Sequence, residues 1–93
     1  MVIVILKMRL DLPGVDSLKE KRRIIKSLMA RLQNKFNISI AEVDENDRHR
    51  SAVLGAAVVS NDAAYGDSVM AQVVNHVQNS NDAILADYST EVY

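Results

Sequence analysis

The chain has 93 residues, 48% hydrophobic and 25% charged, with a formal net charge of -1 and no cysteine. That length closes one modest core and not two, so residues 1–93 read as a single domain. Without thiols there is no disulfide, no Cys nucleophile and no thiolate metal site, which suits a reducing cytoplasm.

The apolar opening is interrupted by Lys7 and Arg9, too early for a membrane span, and it lacks the pattern of a signal peptide. Val2, Val4, Leu6, Met8 and Leu10 alternate with Ile3, Ile5, Lys7 and Arg9, the period of a first strand. Pro13 and Gly14 end it, because proline presets a turn and glycine tolerates positive φ. Ser17, followed three residues later by Glu20, is a capping box that opens a helix. At about 100° per residue, Leu18, Ile25, Leu28, Met29, Leu32 and Phe36 form its apolar stripe, with Ile24 at the margin.

"NISIAEVDE" alternates around Ile38 and Ile40 and then turns acidic, a partly exposed second strand leading into a charged hairpin tip, "DENDRHRS". "AVLGAAVV", Ala52 to Val59, is apolar on both faces, which suits a central strand covered on each side. A second helix follows, capped by Ser60 or Asn61 with Asp62 favouring its positive end. Its buried stripe is Ala63, Val69, Met70, Val73, Val74 and Val77, and Gly66 in that stripe implies close approach to the sheet. Ile84, Ala86, Tyr88, Thr90 and Val92 then alternate with polar residues in a fourth strand.

The order β-α-β-β-α-β predicts an α+β ferredoxin-like sandwich, a four-stranded antiparallel sheet with two helices on one face. That topology centres the first and third strands, the two most apolar, and leaves Glu42, Asp44, Asp87 and Glu91 on the edges, where charge discourages aggregation. Ile3, Ile5 and Leu85 are expected on the open face of the sheet, where an apolar patch implies sheet-to-sheet homodimerisation. Lys7 and Arg9 are expected to pair there with Asp87 and Glu91.

Chemistry-bearing patterns are scarce. The three glycines, Gly14, Gly55 and Gly66, are too scattered for a phosphate loop. Neither His49 nor His76 has spaced partners for a triad, and the carboxylates of "AEVDENDRH" lack the spacing of a calcium hand. No catalytic residue, cofactor or metal is expected. The central strands contain no aromatic residue on which a base could stack.

Charge is the one asymmetry. All eleven Lys and Arg lie at or before Arg50, against seven acids, whereas Ser51 to Tyr93 holds five acids and no base. "SLKEKRRIIKSLMARLQNKF" alone carries seven bases and one Glu. Lys19, Arg22, Arg23 and Lys26 share a flank of the first helix, and Arg48 and Arg50 add charge at the hairpin tip. Cations grouped on one element are the footprint of phosphate contact, which needs no base readout.

"LPGVDSLKEKRRIIKSL", "NKFNISIAEVDEND" and "VLGAAVVSND" resemble the YlxP-like family of small uncharacterised bacterial proteins over about Leu10 to Asp62. The resemblance implies a ferredoxin-like cytoplasmic domain, often encoded beside translation-initiation and ribosome-maturation genes, with no established enzyme activity. The matching motif residues are Ser17, Lys19, Lys21, Arg22, Lys26, Glu42, Ser60, Asn61 and Asp62. His49 stands where many members have tryptophan, and Ser51 where they have arginine, so the hairpin tip departs from a stacking surface.

Together these readings predict a non-enzymatic homodimer that binds RNA or a ribosomal particle through Lys19, Arg22, Arg23, Lys26, Arg48 and Arg50. The alternative is an ACT-like regulatory module holding a small ligand at its dimer interface.

Overall fold

Alternation in the first strand decides the layering: Val4, Leu6, Met8 and Leu10 are fully buried while Ile5, Lys7 and Arg9 are exposed. The computed structural model describes every residue, Met1–Tyr93. Its elements are β1 (Val2–Asp11), α1 (Leu18–Lys35), β2 (Ser39–Asp44), β3 (Ser51–Ser60), α2 (Ala63–Gln78) and β4 (Ile84–Val92). The antiparallel sheet runs β2-β3-β1-β4. With both helices on one face, this is the ferredoxin-like α+β sandwich that the sequence predicts.

Register builds the core. Leu6 lies opposite Ala56 and Met8 opposite Leu54, and this layer meets Ile25, Leu28 and Leu32 of α1 and Met70, Val73, Val74 and Val77 of α2. Each fully buried Leu, Ile or Met contributes about 1.5–3 kcal/mol relative to exposure, so the interdigitated strip along β1 and β3 is the main source of stability. The other face of β3 carries no helix, and there only Val53 is buried.

The connections follow from local chemistry. Gly14 takes φ 80 in the turn after β1, closed by Val15 N donating to the Leu12 carbonyl at 3.3 Å. Ser17 Oγ accepts from Glu20 N at 3.1 Å, while the Glu20 carboxylate reaches back to Asp16 N at 3.5 Å, one residue earlier than an ordinary capping box. At α2 the cap is Asp62 rather than Ser60 or Asn61: its Oδ1 accepts from Ala64 N at 3.0 Å. Ser60 Oγ instead holds the approach, accepting from Asp62 N at 3.0 Å and donating to the Asp62 carbonyl at 2.9 Å.

Leu85 departs from its expected place. The β1–β4 register slips between Arg9 and Leu10, so that Asp87 faces Arg9 but Leu85 faces Leu10, with Ala86 left over. An extra residue in one strand reverses every side chain beyond it. Leu85 therefore packs against the core, and Ile84 takes the exposed place opposite Asp11. The last pairing, Ile3 with Tyr93, extends β1 and β4 by backbone bonds of 2.9 and 2.8 Å. There the Tyr93 hydroxyl donates to Glu91, whose hydrogen bond, then its charge, holds the phenol pKa above its ordinary value.

Gly66 is where α2 touches the sheet. A Cβ there would stand 2.5 Å from Val4 Cγ2 and 3.3 Å from Val4 Cβ. Val4 is fully buried and stiff at χ1, so it cannot swing aside. Gly66→Ala gains about 1 kcal/mol of helix propensity but overpacks this contact by roughly 1–3 kcal/mol. Urea denaturation of Gly66→Ala is expected to show a lower midpoint than the parent, and a higher one would mean that the helix can lift off the strand freely.

Candidate functional site

The seven basic residues between Ser17 and Phe36 do not share one fate. Lys21 lies four, seven and eleven residues before Ile25, Leu28 and Leu32, which places it on their stripe, and its side chain is 0% exposed. Its ammonium donates to the Glu45 carbonyl at 2.7 Å and meets Glu42 Oε2 at 2.8 Å. The carboxylate contact is an ion pair off the axis of an aligned hydrogen bond, and that oxygen has no other partner. Glu42 reaches it because it pairs with Leu54 in the sheet and so points to the helix side.

This contact joins α1 to the tip between β2 and β3. Glu45 adopts φ 56, a left-handed conformation that is costly for a residue with a Cβ. Four bonds hold it there. Its N–H donates to Asp44 Oδ1 at 2.8 Å, its carbonyl accepts from Lys21 Nζ and from Arg48 N at 3.1 Å, and its carboxylate accepts from the Ser51 hydroxyl. Three of the tip's four carboxylates are therefore committed separately, Glu42 to Lys21, Asp44 to the backbone and Glu45 to Ser51, while Asp47 is exposed and forms no ion pair.

Arg50 ties the other side of the tip to the start of α1. Its Nε donates to the Val15 carbonyl at 3.1 Å, its Nη2 meets Asp16 Oδ1 at 3.2 Å, and its carbonyl accepts from Leu12 N at 2.9 Å. The guanidinium stays more than half exposed but is charge-paired. Arg48 is exposed and has no acidic partner. Beside them a shallow groove is lined by Val15, Asp16, Arg48, His49, Arg50 and Ser51.

With Lys21 turned inward, helical geometry turns Lys19, Arg22, Arg23 and Lys26 outward over an arc of about 100°. All four are exposed and none is in an ion pair. They are one another's neighbours at i+3 and i+4, and the nearest acid on the helix, Glu20, is held by the cap. Arg31 is instead paired with Asp82 at 2.5 Å, and Lys35 lies 5.7 Å from the Phe36 ring. His76 meets Phe36 edge-on at 6.4 Å on the far end of the helices.

Of the predicted cations, the structure gathers Lys19, Arg22, Arg23 and Lys26 on one surface, puts Arg50 in a salt bridge at its head, and leaves Arg48 free in the adjoining tip. Sequence reasoning named Lys21 and Glu42 only as motif residues of the family they resemble and missed that Lys21 turns inward to meet Glu42. The signal was present, since Lys21 is in phase with the buried stripe and Glu42 sits at a helix-facing position of a strand.

Lys7 and Arg9 form no ion pair with β4: Ser89 lies opposite Lys7, Glu91 opposite Ile5, and Asp87, opposite Arg9, stays unbonded. No helix is long and apolar enough to cross a membrane.

The model of the family described as "Protein of unknown function (DUF503)" matches residues 3–90. Over 63 residues, 68% of each protein, the chain is 35% identical to "Uncharacterized protein YlxP" of Bacillus subtilis (strain 168). Among solved structures, SnoaB, a cofactor-independent oxygenase from Streptomyces nogalater, is similar with a TM-score of 0.56 at 14% identity over 100% of this chain and 92% of that one. The de novo designed protein Foldit4 follows at 0.53 and 9% identity, covering 99% and 94%. Likeness at such identity shows the fold alone.

Removing one member of a buried ion pair strands the other, a loss of about 3 kcal/mol or more, whereas replacing both with apolar groups is close to neutral. Lys21→Met is therefore expected to lower stability by about 3 kcal/mol, and Lys21→Met/Glu42→Leu to recover most of it. A double-mutant cycle in urea measures this, and additive losses would show that the two groups do not act as a pair.

Proposed function

The chain belongs to the DUF503 family, and from that premise we propose that it is a non-enzymatic cytoplasmic module that binds RNA, free or in a ribosomal particle, through phosphate contacts. Lys19, Arg22, Arg23 and Lys26 make those contacts, and Arg48 and the free edge of Arg50 extend them onto the hairpin tip.

One observation carries the reading: four exposed cations on a single helix face with no carboxylate to neutralise them. Helix physics disfavours that arrangement twice. Lys19/Arg23 and Arg22/Lys26 are like-charged i,i+4 pairs, each destabilising by about 0.2–0.5 kcal/mol. Cations in the first turns also oppose the macrodipole. A sequence that departs from local rules without an internal compensation marks a functional surface. A polyanion relieves both costs, releasing its condensed counterions as it binds.

The tie between α1 and the tip serves this surface. Because Lys21, Glu45 and Arg50 hold the two segments together, the cations are presented on rigid elements, so little ordering entropy is spent on binding.

Filter binding to ribosomal RNA across a salt series tests the reading. The four helix contacts, at about 0.7 each on a single strand, predict a log-log slope of about -3. Arg22→Glu/Arg23→Glu is expected to weaken binding and bring the slope to about half that or less. Affinity that ignores salt, or survives the double reversal, would rule out phosphate contact. Thermal stabilisation by a metabolite with no response to RNA would favour the ACT-like alternative.

A further inference from the structure

The phosphate reading uses the helices and leaves the opposite face of the sheet without a role. We propose that this face is the contact surface for a second copy of the chain, packed sheet to sheet.

Its pattern follows from register. Val59 lies beside Ile3, Ala57 beside Ile5, Gly55 beside Lys7 and Val53 beside Arg9. Val43 leans over Gly55, where an added Cβ would meet its Cγ1 at 3.1 Å. Ile5, Val43 and Val59 are 36%, 54% and 63% exposed, an apolar band across three strands. Next to this band Lys7 and Arg9 stand in the centre of the sheet, with Asp44 and Asp87 on its two edges. None of these four side chains is in an ion pair.

The charges select the occupant. A polyanion would meet Asp11, Asp44 and Asp87, and a polycation would meet Lys7 and Arg9. A twofold contact lets each copy set its cations against the other's carboxylates while the apolar bands cover each other. The chain itself supplies no cover, since both helices pack on the reverse face.

The area is of the right scale. Four strands about 4.8 Å apart, the longest about 33 Å, present roughly 600 Å² in projection. One partner's share of a standard interface is about 800 Å² of accessible surface. The pairing does not depend on RNA binding, but with sheets inward both basic α1 surfaces stay uncovered on the outside of the dimer.

Sedimentation equilibrium of the full chain, nuclease-treated, across micromolar to submillimolar concentrations tests this. A dimer is expected, and Ile5→Asp/Val59→Asp is expected to sediment as a monomer with its cooperative unfolding retained. Tyr65→Asp, which changes an exposed aromatic on α2, is expected to remain dimeric. If the double variant fails to unfold cooperatively, Arg9→Glu, confined to an exposed side chain, decides: its dimer dissociation constant is expected to rise about tenfold or more. A parent chain that stays monomeric throughout, dimerises only with RNA, or keeps its dimer unchanged in these variants overturns the proposal.

Discussion

A buried ammonium is the constraint around which the rest of this molecule is arranged. Stripping a charge of water costs several kcal/mol unless partners replace the hydration shell. Lys21 finds those partners at 2.7 and 2.8 Å, in the Glu45 carbonyl and the Glu42 carboxylate. The contact helps fix the rotation of α1, because a one-residue change of phase would turn the helix about 100°, taking Lys21 off both partners and Ile25, Leu28 and Leu32 out of the core. It also explains why a glutamate holds a left-handed conformation, since the carbonyl it presents is the one that the ammonium needs.

The outward surface is the complement of that inward pair. With Lys21 inside, Arg31 on Asp82 and Arg50 on Asp16, the carboxylates near α1 are taken, and Lys19, Arg22, Arg23 and Lys26 are left without any. The same tie that stabilises the fold therefore leaves the positive field uncancelled on one side. On the other side of the molecule, the open sheet face carries both signs of charge around an apolar band, a surface suited to its own copy rather than to a polyanion.

Much of this was legible in the chain. Strict alternation in β1 and the two apolar faces of β3 identified the central strands, and the helical stripes and Gly66 identified what packs on them. Sheet order then followed from topology. The misread features all concern which partner a side chain chooses. Leu85 faces inward because Ala86 bulges, and a one-residue slip changes no hydrophobic pattern that could announce it. Asp62 took the cap from Ser60 because three adjacent residues offer similar oxygens and backbone geometry decides among them. Lys7 and Arg9 were expected to meet Asp87 and Glu91, but register set Ser89 and not Glu91 near Lys7. Lys21 was hidden by its type, since a lysine in a basic run reads as solvated even when its phase places it in the core.

Lysine acylation footprinting, read by mass spectrometry with and without ribosomal RNA, bears most directly on the division between one inward and several outward cations. Lys21 is expected to resist modification in both states, while Lys19 and Lys26 react readily alone and become protected when RNA is bound. Lys21 reacting at the rate of its neighbours, or Lys19 and Lys26 modified equally in both states, would contradict that division.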